Sequence, residues 1–156
     1  LDNLSLFIDK KIKVNVLGNL LPLGSRFTTA INKVTQATAD FQTMQLNVLC
    51  NYSGRWHIED AHRRAMLSAK NDGSTDSSIT SILQSDMSKD PDLLIRTSGE
   101  QRLSNFMLYH SAYTELAFEA VFWPDFTREH LVKHLDSFTK RQRRYGQVEQ
   151  EDALTC

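Results

Sequence analysis

Cysteine is scarce in this 156-residue chain, and its scarcity closes several routes. The two residues are Cys50, inside an apolar run, and Cys156, at the end. Neither fits a disulfide framework or a zinc-ligand spacing, so a reducing compartment is the expectation. An excess of one charge is also lacking: 18 Lys+Arg stand against 19 Asp+Glu, a net charge of −1. Bulk electrostatics gives no pull toward nucleic acid or an anionic membrane, so any anion site must be local. No apolar stretch approaches the roughly 20 residues of a membrane span, and no secretory signal is visible. The chain begins at Leu1 rather than methionine, so residues ahead of it are expected. There is no Walker loop, no H-E-x-x-H, no repeat and no low-complexity tract. His130 and His134 are four apart, but outside such a motif they are expected on a solvated helix face. His57, His62 and His110 are scattered, and no Ser-His-Asp or Cys-His arrangement stands out.

What remains is a globular composition, 40% hydrophobic and 24% charged, long enough for one α/β domain spanning 1–156 with a real core. K-I-K-V-N-V-L-G (11–18) alternates and is β-branched, which predicts a strand; Q-L-N-V-L-C (45–50) predicts a second. Between them Phe27, Ile31, Val34 and Thr38 fall at helical spacing. Asn51-Tyr52-Ser53-Gly54-Arg55 opens a helix to about Ala69, with Ile58, Ala61, Ala65 and Met66 expected inward. Residues 71–78 read as a loop and 79–84 as a short helix. Pro91 precedes a third strand over 92–96; 103–110 is expected to be helical, 116–122 a fourth strand, and 127–143 a final helix. Strands separated by helices predict a mainly parallel sheet flanked by helices. Ligands of such sheets sit beyond the carboxyl ends of the strands, where both polar turns fall.

The richer of these turns is I-R-T-S-G-E-Q-R-L-S-N-F, residues 95–106. Arg96 and Arg102 flank a Ser-Gly turn, and paired guanidinium groups suit a diphosphate. Gly99 permits close backbone approach, and Ser104, beside the expected helix start, brings a hydroxyl and the positive end of a dipole. The same residues also read as a solvated loop in which the arginines pair with Glu100 and nearby acids. Glu115, in A-Y-T-E-L, reads either as a hard oxygen ligand for Mg²⁺ or as an exposed glutamate. Arg55 reads either as an anion contact or as the i,i+4 partner of Glu59.

Taken together, these segments resemble the cis-prenyltransferase family, of the undecaprenyl and dehydrodolichyl diphosphate synthase type. D-L-L-I-R-T-S-G-E-Q-R-L-S-N-F-M-L-Y (92–109), A-Y-T-E-L-A-F (112–118) and W-P-D-F (123–126) follow its C-terminal signature in order and spacing. L-N-V-L-C-N-Y-S-G-R-W-H-I (46–58) is similar to its N-Y-G-G-R segment, and R-R-Y-G (143–146) to its R-x-G tail. The likeness covers roughly residues 5–146. It implies that Arg96, Arg102 and Ser104 hold the diphosphate of isopentenyl diphosphate, with Gly99, Leu103 and Arg55 as further substrate contacts. It implies Mg²⁺ at Glu115, and that Arg144 and Gly146 reach toward a neighbouring subunit of a homodimer or heterodimer. The implied reaction condenses isopentenyl diphosphate with an allylic diphosphate to give a cis-polyprenyl diphosphate. Isoprenoid biosynthesis of this kind implies a cytoplasmic-side, membrane-associated or organellar setting, with membrane contact through the lipid product.

The family's H-x-D-G-N-x-R-W and F-S-x-E-N-W segments do not occur in these 156 residues. A cis-prenyltransferase-like fold without the N-terminal strand and helices is therefore expected, carrying the isopentenyl half-site and inactive alone. No catalytic aspartate of the family type can be assigned in it. A flexible tail is expected over 147–156. Two alternatives stand beside this reading. One is a non-catalytic partner subunit of a heteromeric enzyme, although such subunits usually lose the R-T-S-G-E-x-R-L-S-N run. The other is a diphosphate-binding remnant without enzymatic use.

Overall fold

The alternating I-K-V-N-V-L run forms a strand, β1 (Ile12–Leu17), and M-Q-L-N-V-L forms β2 (Met44–Leu49). They pair in parallel, Ile12 opposite Met44 through Leu17 opposite Leu49. A parallel pair needs a crossover, which α2 (Ser25–Ala37) supplies. The last turn of α2 is tied to β1 by Thr38, fully buried at 0% exposure. Its hydroxyl accepts from the Val14 amide at 3.0 Å and donates to the Val34 carbonyl at 2.8 Å. A short helix not expected from the sequence, α1 (Leu4–Asp9), leads into β1, and a 3-10 turn at Leu21–Leu23 precedes α2.

The structure, a computed structural model, describes residues 3–72 and 78–142. They fall into two units: residues up to Asp90 with Leu103–Tyr109, and Pro91–Arg102 with residues from His110 onward. Loop residues 73–77 and the expected tail over 147–156 lie outside the described residues.

In the first unit, α3 (Gly54–Asp72) packs with α4 (Ile79–Met87), whose N-cap Ser78 accepts from the Ser81 amide at 3.0 Å. Among its described residues Val14, Ala61, Leu83, Met87 and Met107 are the buried apolar side chains. The inward face of α3 differs from the expected one. Ile58 and Met66 are exposed, whereas His57 is buried beside Ala61. The helix has rolled to direct His57 and Arg64 at Asp86 of α4, a pairing that apolar periodicity does not register.

In the second unit, β3 (Leu93–Arg96) pairs in parallel with β4 (Glu115–Phe118), Leu93 opposite Glu115 and Arg96 opposite Phe118. A 3-10 turn at Trp123–Asp125 leads to α5 (Arg128–Thr139). Its capping box is Thr127 with His130, whose Nδ1 accepts from the Thr127 amide at 3.0 Å. β4 and α5 are both shorter than expected.

The larger correction concerns residues 103–110, which form turns rather than a helix. Ser104, Asn105 and Met107 have φ of 48°, 65° and 46°. Left-handed residues in succession cannot continue a right-handed helix. Ser104 therefore does not stand beside a helix start. The parallel α/β class itself is as expected.

Candidate functional site

β3 delivers Arg96 to its carboxyl end, where Ser98 (φ 78°) and Gly99 (φ 73°) turn the chain. Glycine adopts such a φ freely, and Ser98 is held there by its neighbours. The Ser98 amide donates to the Val121 carbonyl at 2.8 Å and the Gly99 amide to the Glu119 carbonyl at 2.9 Å. The Glu119 amide donates to the Arg96 carbonyl at 2.8 Å, so the turn is fastened to the exit of β4. The Arg96 guanidinium donates to the Arg102 carbonyl, which closes the loop over the intervening residues. Arg102 pairs with Glu100, their side chains 62% and 43% exposed, as the solvated-loop reading expects. An exposed pair of this kind contributes at most about 1 kcal/mol, so exchanging Glu100 for a multiply charged phosphate costs little.

The anchor behind this turn is Glu119, a buried carboxylate. Lys133 donates to its Oε2 at 2.9 Å, His134 Nε2 lies 3.0 Å from the same oxygen, and the Ala120 amide donates to Oε1 at 3.0 Å. Lys133, then the Ala120 amide, hold the Glu119 carboxyl at about 2, well below the usual range. His134 is thus buried against Glu119 rather than on a solvated face.

Glu115 is not brought to the Arg96 turn. It sits opposite Leu93 at the amino end of β4, about 10 Å along the strand from the level of Arg96 at about 3.3 Å per residue. Arg141 Nη1 donates to its Oε2 at 2.7 Å and to the Leu116 carbonyl at 3.1 Å. Among the described residues no cluster of three His, Cys, Asp or Glu is arranged to hold a metal ion. One carboxylate neutralised by an arginine does not make a magnesium site by itself.

The first unit holds Arg55, Leu103 and Ser104. Gly54 and Arg55 open α3, and residues 103–109 lie against this helix start. The Gly54 amide donates to the Asn105 carbonyl at 2.6 Å, and the Arg55 amide to Asn105 Oδ1 at 3.0 Å. Among the described residues no ion pair joins Arg55 to Glu59. A methyl group at Gly54 would lie 2.8 Å from Leu108 N, 2.9 Å from Leu108 Cγ and 3.1 Å from the Asn105 carbonyl oxygen. Gly54→Ala is accordingly expected to destabilise the chain by about 1–3 kcal/mol through overpacking. Thermal unfolding checks this, and an unchanged midpoint would contradict the docking of 103–109 on α3.

Beneath this surface lies a buried polar relay. His57, 1% exposed, has Nε2 3.0 Å from Asp86 Oδ2 and Nδ1 3.0 Å from the Tyr52 hydroxyl. A neutral imidazole donating to the carboxylate leaves Nδ1 to accept the Tyr52 proton. Arg64 adds two further hydrogen bonds to Asp86, one of them 3.0 Å from Nη1 to Oδ1. Burial alone would raise the Asp86 carboxyl, but His57 and Arg64 outweigh it and hold it at about 2. Burial first, and then the Asp86 charge, push Tyr52 up to about 12, so its hydroxyl stays a donor. The Tyr52 ring meets those of Trp56 and Phe106 edge-on, at centroid distances of 6.3 and 6.0 Å. Residues 103–109 are thereby held by ring contacts as well as by Asn105.

Asn105, Gly54, Asp86 and Glu119 were not singled out by sequence reasoning. The sequence signal for Asn105 and Gly54 lay in the quoted motifs themselves; for Asp86 and Glu119 nothing local pointed to a role. Arg144 and Gly146 lie outside the described residues.

The fold and its turns define a parallel α/β protein with polar, arginine-bearing turns at the carboxyl ends of its strands. Residues 2–146 match the family described as "Putative undecaprenyl diphosphate synthase". An isoprenyl transferase of Listeria innocua is 40% identical over 144 residues, covering 89% of this chain and 57% of that protein. One from Aquifex pyrophilus is 36% identical over 137 residues, covering 88% and 59%. Among solved structures, a lavandulyl diphosphate synthase from Lavandula x intermedia in complex with dimethylallyl diphosphate superposes with a TM-score of 0.81. It is 28% identical, and the match covers 94% of this chain and 67% of that one. A probable undecaprenyl diphosphate synthase from Campylobacter jejuni gives a TM-score of 0.80 at 25% identity, covering 94% and 68%. The chain belongs to the undecaprenyl diphosphate synthase family of cis-prenyltransferases. It spans just under three-fifths of the length of the curated relatives above. Among the described residues no helix is long and apolar enough to cross a membrane.

Proposed function

We propose that this chain carries the isopentenyl diphosphate half-site of a cis-prenyltransferase. The observation that supports this most directly is the turn from Arg96 to Arg102, which presents two guanidinium groups at the end of a parallel strand. Backbone bonds to Glu119 and Val121 at the exit of β4 brace it, and the Glu119 side chain is in turn held by Lys133 and His134. In this reading Arg102 exchanges Glu100 for the diphosphate, Gly99 lets the backbone approach, and Arg96 keeps the loop closed. Leu103, Ser104 and Arg55 of the first unit, and Arg144 and Gly146, belong to the same reading by motif.

The full reaction breaks the C–O bond of an allylic diphosphate, and the isopentenyl double bond attacks the resulting cation. Loss of a proton then gives a cis alkene. What these residues contribute is fixation of the isopentenyl diphosphate and stabilisation of its charge. A magnesium ion at Glu115, which the family resemblance implies, would have to displace Arg141 from that carboxylate and take its other ligands from further oxygen donors and water, which it prefers. Association into a homodimer or heterodimer belongs to the same proposal: among the described residues each sheet has two strands, and an uncovered strand edge is a template for pairing. So does contact with a membrane through the lipid product.

Because the 156 residues contain no H-x-D-G-N-x-R-W segment, this chain is expected to bind isopentenyl diphosphate without turning it over. Incubation with labelled isopentenyl diphosphate and farnesyl diphosphate checks this. Formation of elongated product by the chain alone would contradict it.

A further inference from the structure

We infer that Asn105 is a positioning residue for the anion contacts of the first unit, capping α3 from 50 residues away and fixing where Arg55 and Ser104 stand. The inference rests on the diphosphate reading above. Every helix begins with amides that lack partners within the helix. In α3 the Gly54 amide goes to the Asn105 carbonyl (2.6 Å), Arg55 to Asn105 Oδ1 (3.0 Å), and Trp56 to Ser53 Oγ (3.2 Å). The His57 amide already reaches the Ser53 carbonyl at 2.9 Å. Asn105 thus supplies both acceptors that the local sequence does not.

Two consequences follow from this occupancy. First, the opening amides of α3 are taken by the protein, so recognition of an anion here falls to side chains, the Arg55 guanidinium and the Ser104 hydroxyl. Second, both of those residues are placed by Asn105: Arg55 is the residue whose amide it caps, and Ser104 is its neighbour in the chain. The residue type is constrained as well. Asn105 sits at φ 65°, where asparagine, aspartate and glycine are tolerated best. Of these, glycine has no side-chain acceptor. The close approach also depends on Gly54, where a methyl group would crowd Leu108 and the Asn105 carbonyl.

Asn105→Gly keeps the backbone conformation and the carbonyl bond but deletes the cap on Arg55. It is expected to speed hydrogen exchange at the Arg55 amide and to weaken isopentenyl diphosphate binding, measured calorimetrically, about three- to tenfold, the size of a lost helix cap. Asn105→Asp keeps the acceptor and is expected to retain Arg55 amide protection and the thermal midpoint. Faster exchange in Asn105→Gly with unchanged affinity would overturn the inference, because the cap would then be structural only. Unchanged Arg55 protection in Asn105→Gly, or lost protection in a folded Asn105→Asp, would overturn it by denying the cap. Arg102→Ala, measured in parallel, separates the two levels. Weakened binding there with unchanged binding in Asn105→Gly removes the positioning role alone, whereas unchanged binding in Arg102→Ala removes the diphosphate reading and this inference with it.

Discussion

Arg102→Ala is expected to weaken isopentenyl diphosphate binding by about one to two orders of magnitude, since a hydrogen bond to a charged group contributes about 1.5–3 kcal/mol. The side chain is 62% exposed, and among the described residues its ion-pair partner is the exposed Glu100. Its removal should therefore leave the fold intact and the thermal midpoint nearly unchanged. Arg102→Lys keeps the charge but loses the planar fork, so an intermediate loss is expected. Arg96→Ala should weaken binding at least as much. It also removes the bond to the Arg102 carbonyl that closes the loop. Calorimetric titration distinguishes these cases. Unchanged affinity in Arg102→Ala would contradict the assignment of the turn.

The second large effect is on stability. Asp86→Ala leaves His57, 1% exposed, without its acceptor and leaves Arg64 with Asp60 alone. Leaving a buried polar group without its partner costs about 1–3 kcal/mol, and more where charge is involved. α3 and α4 are joined through this carboxylate, so urea denaturation should show a much lower midpoint, and the Tyr52–Phe106 contact should loosen with it. The same group sets acid behaviour. Its folded pKa, about 2, is depressed from a reference value of 3.8. Its contribution is therefore complete above about pH 4 and is lost as the pH falls through about 2. Glu119, lowered to about 2 from 4.5, acts with the same sign in the second unit. Asp86→Asn should be less stable than the parent at neutral pH yet lose less on acidification. Parallel acid sensitivity of parent and variant would show that the relay does not carry the effect.

Much of the architecture was legible locally. Three of the four strands were placed within one or two residues, because each is a short apolar or β-branched run closed by turn residues. The parallel pairing of β1 with β2 follows from the intervening α2, whereas β3 and β4 pair in parallel across turns rather than a helix. The fourth was drawn too long at its carboxyl end. The carbonyls of Glu119 and Val121 serve the Ser98–Gly99 turn instead of a strand partner. Residues 103–110 looked helical because Leu103, Phe106, Met107 and His110 recur at helical spacing. Their backbone is instead shaped by a contact with Gly54 and Arg55 that no local window contains. The face of α3 was misplaced for the same reason, since the partners of His57 and Arg64 lie 29 and 22 positions away in Asp86. Arginines and serines announced the candidate turn. The carboxylates that position the surrounding elements gave no local sign, because a buried aspartate or glutamate is chosen for a distant partner.

The most direct test titrates isopentenyl diphosphate into this chain and into its Arg96→Ala/Arg102→Ala form, with inorganic phosphate as a control. Saturable binding by the parent, at least tenfold weaker in the double variant and much weaker for phosphate, is the predicted result. Equal binding by the two proteins, or no binding by a folded parent, would contradict the placing of the diphosphate at the Arg96–Arg102 turn.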